Sequence, residues 1–266
     1  MDDVTRNRIM RQHLETERLF GVDAVPVGQA APVVGHAAPA VEDEENAVHN
    51  TEDAGVVAPV NAPRGGAAAK LTILQDMDAN EVRGCTNCEL CHSRTNTVFG
   101  DGDPDADLMF VGEGPGRNED EQGRPFVGRS GDLLSKMIVA MGLSREQVYI
   151  ANIVKCRPPQ NRTPTPHEVQ TCWDYLRRQI KTIQPKVIVS VGGPATSMLL
   201  DTKKGITSIR GTWHEYDPPG TDGGPIPVMP TFHPAYLLRS YTKENRAKVW
   251  SDLQEAMARL GLAEPA

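Results

Sequence analysis

Four short apolar runs constrain this chain more than any other feature. They are "DADLMFVGEGPG" at 105–116, "VYIANIVK" at 148–155, "KVIVSVGG" at 186–193 and "IPVMPTFHP" at 226–234. Each apolar stretch is short and runs into glycine, proline or a polar residue, which marks a buried strand entering a turn. The segments between them read as helices. "LTILQDMDANEVRGC" precedes the first strand. "SGDLLSKMIVAMGL" has Ser130 as an N-cap and Gly142 near its C-terminus, and "TPHEVQTCWDYLRRQIKTIQP" is closed by Pro185. "PATSMLL" opens another helix and "KENRAKVWSDLQEAMARLG" is the last. Strands alternating with helices predict an α/β fold with a parallel sheet covered on both faces. Such sheets bind ligands beyond the carboxyl ends of their strands. Gly112–Gly116, Asn152 with the loop after it, Gly192–Gly193 and His233 should therefore meet in one crevice.

The rest of the chain reads differently. Hydrophobic residues make up 39% of the 266 residues and aromatics only 5%, so part of the chain has too little apolar surface to pack. Residues 25–70 are rich in Ala, Pro, Val and Gly with an acidic knot at 42–45, the composition of a disordered tether. Ahead of it, Arg8 to about Phe20 reads as a short helix in which Met10 and Leu14 share a face that Arg18 interrupts. We therefore expect a non-globular segment over 1–70, frayed at its start or docking a partner, and a folded body over 71–266. Residues 1–70 hold 11 acidic and 6 basic side chains, and the body holds 24 and 22. Any nucleic-acid contact must then come from a local basic face, not from global charge. No run is long enough to span a membrane, and the N-terminus has no apolar core after its basic residues, so a cytoplasmic location is expected. Five cysteines in a chain without a secretion signal argue for metal or cluster binding over disulfides.

Several residues carry chemical signals. "VGEGPGRNEDEQGRPFVG" is neither a dinucleotide fingerprint, which needs glycine where Arg117 stands, nor a P-loop. Its glycines still let a backbone approach a ligand, and Glu113 sits among them. As a loop acid, Glu113 is equally readable as solvent-facing. Asn152 lies in an apolar strand where Asn is disfavoured, and a buried amide needs partners. It either makes a structural hydrogen bond or reads the edge of a base, since an amide can donate to one ring carbonyl and accept from the adjacent ring N–H. That matches uracil at O4 and N3 and mismatches cytosine. His233 ends the last strand, a better position for catalysis than most histidines have. Phe126 is either core or a stacking platform for a flat ring. Cys85 and Cys88 form a C-x2-C pair, and Cys156 and Cys172 a pair spaced by 15 residues. Four thiolates suit zinc or a 4Fe-4S cluster alike, and Cys91 is left over as a free thiol.

Taken together, "CTNCEL", "VFGDGDPDADLMFVGEGPG", "GRPFVGRSGDLL", "VYIANIVKCRPPQNRTPTPHEV", "IRGTW" and "FHPAYLLR" closely resemble the family 4 uracil-DNA glycosylases, the iron–sulfur type first known from thermophiles. The matching pieces run in family order from about residue 78 to 262. The resemblance implies a three-layer α/β/α sandwich with a small central parallel sheet. It implies a 4Fe-4S cluster on Cys85, Cys88, Cys156 and Cys172, with Cys91 a departure from the pattern. The implied activity is base excision repair: hydrolysis of the N-glycosidic bond of deoxyuridine in single- or double-stranded DNA. Apart from the resemblance, a monomer is expected, with residues 1–70 the segment that would dock a repair-protein partner.

By the same resemblance, Phe126 packs against the flipped base and Asn152 reads its pairing edge. The Gly112–Gly114 backbone and Glu113 surround base and sugar, His233 lies near uracil O2, and Glu119 lies beside the C5 edge. Glu113 and His233 are then the catalytic pair. Arg157, Arg162 and Arg239 are expected on phosphates, and the apolar "YLL" at 236–238, with Leu237 and Leu238, as a wedge in the gap the base leaves. Three rivals remain: a related glycosylase acting on another deaminated base, a non-catalytic iron–sulfur DNA-binding module, and a zinc protein.

Overall fold

The computed structural model describes residues 66–218 and 224–263. The expected helix at Arg8–Phe20 and nearly all of the expected tether lie outside the described residues. The first helix, α1 (Ala67–Met77), begins inside the stretch read as tether. Lys70 is already part of the body: its Nζ donates to Asp105 Oδ1 at 2.6 Å and to the Ile183 carbonyl at 2.9 Å.

After α1 the chain forms β1 (Asp101–Gly102), β2 (Leu108–Gly112), α2 (Arg117–Gln122), α3 (Arg129–Ala140) and β3 (Tyr149–Asn152). It continues through α4 (Pro166–Ile183), β4 (Val187–Val191), α5 (Gly193–Leu200), α6 (Ile206–Ile209) and β5 (His214–Tyr216). It ends with β6 (Ile226–Thr231), α7 (Pro234–Arg239) and α8 (Lys243–Leu260). The strands form one sheet in the order β1-β3-β2-β4-β6-β5. The four expected strands are its parallel centre. Around that parallel centre the sheet gains two edge strands without a sequence signal, β1 and β5, and both pair antiparallel. Both are too short, and β5 too polar on its exposed side, to leave an apolar run.

Successive residues of β2 serve opposite faces, as the pleat requires. Leu108 and Phe110 pack with Leu134 and Ile138 of α3 and with Val249 and Leu253 of α8. Met109 and Val111 pack with Leu176 and Ile180 of α4 and with Leu199 of α5. Every residue of β2, β3 and β4 is buried, and apart from Asn152 and Ser190 these strands are apolar runs sandwiched between helical layers. Among the described residues no helix is long and apolar enough to cross a membrane.

Register sets the site. Gly112 pairs with Asn152, Val111 with Ser190, and Val191 with Thr231. The four parallel strands therefore end level, and the residues after them face one space. Asn152 is the last residue of its strand, where the sequence placed it mid-strand. The cap of α3 is likewise corrected from Ser130 to Gly128, because the chain turns helical at Arg129.

Candidate active site

Beyond the carboxyl ends of the strands lies a cleft of about 750 Å³ lined by Glu113, Phe126, Asn152, Gly192 and His233, among others. The structure thus brings together the residues expected to converge. Glycine makes that convergence possible at two points. A Cβ on Gly112 would stand 2.7 Å from Phe126 Cζ and would also collide with Asn152 Oδ1. Gly192 has φ +97° and a Cβ there would sit 3.1 Å from His233 Cβ. Any larger residue at either position would push a functional side chain out of place.

Asn152 is buried, and its Oδ1 is one of two buried side-chain polar atoms without a hydrogen-bond partner among the described residues. Leaving such an acceptor unmet costs about 1–3 kcal/mol. Its backbone is firmly held: buried Lys155 donates from Nζ to the Asn152 carbonyl at 2.8 Å and to Gln179 Oε1 at 2.6 Å. The amide is thus presented on a rigid strand end with one acceptor empty.

His233 caps α7. Its Nδ1 accepts from the Ala235 N–H at 3.0 Å, which leaves Nε2 to carry the proton. Burial, helped by the positive Arg239, lowers its pKa to about 4, against the opposing pull of Glu119. The ring is therefore a neutral N–H donor at pH 7, with its centroid 5.7 Å from that of Phe126. Glu113 is partly buried, and burial raises its pKa above the ordinary value of 4.5 while a hydrogen bond with Thr163 opposes the rise.

Glu119 lines the same cleft, but both its oxygens are engaged with backbone. Oε2 accepts from Gly116 N at 3.1 Å, and Oε1 from Val127 N at 2.9 Å and Gly128 N at 3.0 Å. It joins the glycine loop to the loop that carries Phe126. Arg157 is tied to Asn161 Oδ1 at 2.7 Å, and Arg239 lies exposed on the cleft rim. Arg162 makes a two-pronged pair with Glu168, at 2.8 and 2.6 Å. That pair holds the Glu168 carboxyl down at about 2, and Glu168 in turn accepts from the Thr165 N–H at the cap of α4. Arg162 is therefore chiefly a brace for the proline-rich loop. Leu237 corrects the expectation of a wedge, because it is fully buried in the core against which α3 and α8 pack. The helical turn points Tyr236 outward instead, 37% exposed at the cleft, with Leu238 partly buried.

Five cysteines are free thiols lining one apolar cavity with Val82, Leu90 and Tyr175. Cys156 and Cys172 are buried, and Cys85, Cys88 and Cys91 partly so. Donors point at three of the sulfurs: Arg94 Nη1 to Cys156 at 3.2 Å, the Lys155 N–H to Cys172 at 3.2 Å, and the Tyr175 hydroxyl to Cys85 at 3.4 Å. Burial pushes the Cys172 thiol up to about 12 and raises Cys156 and Cys88 as well. A cationic centre is what would hold these sulfurs as thiolates, so the donor set suits a thiolate-bound group. Among the described residues no three His, Cys, Asp or Glu side chains are grouped for a single metal ion, and the cysteines instead surround a space.

Sequence reasoning missed Thr163, Lys155 and Arg145. Only Lys155 carried a signal, as a charge at the end of an apolar run.

The Uracil DNA glycosylase superfamily model matches residues 99–254. The chain is 48% identical over 184 residues to the type-4 uracil-DNA glycosylase of Thermotoga maritima, covering 69% of this chain and 93% of that one. It is 46% identical over 171 residues to the type-4 uracil-DNA glycosylase of Saccharolobus solfataricus, covering 61% and 76%. For that of Archaeoglobus fulgidus the figures are 40% over 189 residues, covering 70% and 92%. With its cleft at the strand ends and its thiol-lined cavity beside it, this chain belongs to the type-4 uracil-DNA glycosylases of the Uracil DNA glycosylase superfamily.

Proposed function

We propose that this protein excises uracil from DNA by hydrolysing the N-glycosidic bond of deoxyuridine, releasing the base and leaving an abasic site. One observation carries the reading: Asn152 Oδ1 is a buried acceptor with no partner among the described residues, facing a cleft of about 750 Å³. Uracil N3–H is a donor that fits it, and the same amide can donate to O4. Cytosine offers a lone pair at N3 and would leave Oδ1 unmet.

A base in a duplex must be flipped out before it enters such a cleft. Phe126 then supplies a face to stack on. As the C1′–N1 bond breaks, its electron pair goes to the uracil ring and the sugar becomes oxocarbenium-like. The neutral His233 Nε2–H donates to the oxygen where that negative charge gathers. The ionised Glu113 stabilises the cationic sugar and orients the water that attacks C1′; the proton this water loses passes to the Glu113 carboxylate, and the departing uracil anion takes up a proton from solvent. Glu119 stands as a wall beside C5, held by three amides. Arg239 on the rim and Arg157 in the loop after β3 take phosphates, with Tyr236 and Leu238 beside the vacated stack.

Glu113 makes a pH test possible. Its ionised form is the active one and its pKa is raised. Activity should be full above that value and fall as pH drops through it, giving an acid limb above 4.5. Glu113→Gln should lower kcat by roughly 10²-fold or more and flatten the limb. A mutant that keeps the parental acid limb would assign it elsewhere.

Cys85, Cys88, Cys156 and Cys172 are proposed to hold a 4Fe-4S cluster, which when bound serves as a cross-link between the segment before β2 and the loop and helix after β3. These sulfurs lie outside the cleft, and no step of bond cleavage passes through them. Cys172→Ser should lose the brown colour and several degrees of Tm, whereas Cys91→Ser keeps both. Iron content and the visible spectrum read the outcome.

The direct test is uracil release from single-stranded and duplex oligonucleotides carrying one deoxyuridine. Alkali-labile abasic sites are expected in both. Folded, brown protein that binds the DNA and releases no uracil would overturn the reading.

A further inference from the structure

We infer that Arg145 is a positioning residue that holds Phe126 in the pose needed to stack on the excised base, an inference that rests on the uracil-excising function proposed above. Phe126 has φ +51°, in the left-handed region that side-chain-bearing residues rarely adopt. A bulky residue stays there only when its surroundings over-determine it. The surroundings here are few and specific. Arg145 Nη1 donates to the Phe126 carbonyl at 2.9 Å, and Nη2 donates to the Pro125 carbonyl. One planar guanidinium thus fixes the carbonyls on both sides of Phe126, which an ammonium cannot do with the same geometry.

The guanidinium is itself anchored. Arg145 Nε lies 3.3 Å from Asp101 Oδ2, an oxygen that also accepts from Arg124 Nη2 at 2.7 Å. Asp101 sits on the edge strand β1, opposite Ile150 of the strand that carries Asn152. The loop bearing the stacking ring is therefore referenced to the sheet that bears the pairing amide. On the far side of the loop, Glu119 holds the Val127 and Gly128 amides. Gly131 completes the fit, because a Cβ there would stand 2.9 Å from Phe126 Cα.

Arg145 does not line the cleft, so it acts only through Phe126. Its side chain is 16% exposed, and it spends both terminal nitrogens on these two carbonyls. Without the guanidinium, Phe126 can relax toward negative φ and its ring leaves the pose beside Asn152.

A double-mutant cycle tests this, using single-stranded deoxyuridine DNA so that flipping from a duplex does not enter. Arg145→Met should lower kcat/KM on the order of tenfold, the scale of one strained backbone conformer. Phe126→Ala should lower it as well. The double variant should be no worse than Phe126→Ala alone, and Arg145→Lys should recover only part of the loss. A full additional loss in the Phe126→Ala background, or no loss in Arg145→Met, overturns the inference. If Arg145→Met does not fold, Asp101→Asn takes its place in the cycle, because it frees the guanidinium from its anchor. Loss that vanishes in the Phe126→Ala background then supports the inference, and loss that persists there overturns it. Parent protein that releases no uracil would instead sink the proposed function.

Discussion

Asn152→Ala should destroy uracil excision while leaving the free protein as stable as the parent or slightly more so. The two halves of this result have one cause. Asn152 Oδ1 is buried without a partner among the described residues, so the folded protein carries an unmet acceptor until a ligand supplies a donor. Removing the amide removes that penalty, of about 1–3 kcal/mol, against a small loss of packing. The same deletion takes away both hydrogen bonds that recognise the pairing edge. A site built to hydrogen-bond its substrate rejects a mismatched analogue by roughly 10⁴-fold or more. Discrimination between uracil and cytosine should collapse by that order, more than for any other single change in the cleft. The collapse should come from the loss of uracil activity, not from a gain on cytosine. Excision assays on matched deoxyuridine and deoxycytidine oligonucleotides, with thermal melts of both proteins, read the two halves separately. Equal discrimination in mutant and parent would remove Asn152 from its role. A Tm lowered by several degrees would mean that the amide is structural after all.

Asn152 was legible because a polar residue inside an apolar run breaks the pattern of a strand buried on both faces. The same logic made the four central strands legible and hid β1 and β5. An edge strand of two or three residues has no apolar run to betray it, and its pairing is decided by the neighbour it meets. Helical periodicity resolves what the bare string "YLL" could not. In α7 the turn sends Leu237 into the core and Tyr236 to the cleft rim, although both are apolar candidates for a wedge. The bonds that shape the cleft were the least legible. Glu119 serves backbone amides at 116, 127 and 128, and Arg145 serves carbonyls at 125 and 126. Backbone groups have no letter in a sequence, so a side chain spent on them looks like ordinary surface charge.

His233→Asn should lower kcat by about 10²–10³-fold with little change in KM or Tm, and the choice of asparagine matters. His233 does two jobs with two nitrogens. Nδ1 accepts from the Ala235 N–H and caps α7, while Nε2 carries the proton available to the leaving base. Alanine would remove both, at about 1 kcal/mol for the lost cap, and would confuse a catalytic loss with a structural one. Asparagine is a good N-cap and keeps an acceptor for Ala235, but it does not place a donor where Nε2 stands. The sign of the pH effect follows from burial. The ring's folded pKa is lowered to about 4 from an ordinary 6.5, so the neutral ring contributes stability that is full above about 6.5 and is lost as pH falls toward 4. His233→Asn should therefore flatten part of the acid side of the Tm profile. For the same reason parental kcat should show no step near 6.5: a neutral donor works unchanged through that range. A kcat that falls as pH rises through 6–7, and does so only while His233 is present, would instead make the donor an imidazolium and the half-buried neutral ring the wrong picture. The two profiles, kcat and Tm against pH for parent and His233→Asn, separate the proton the ring gives from the cap it provides.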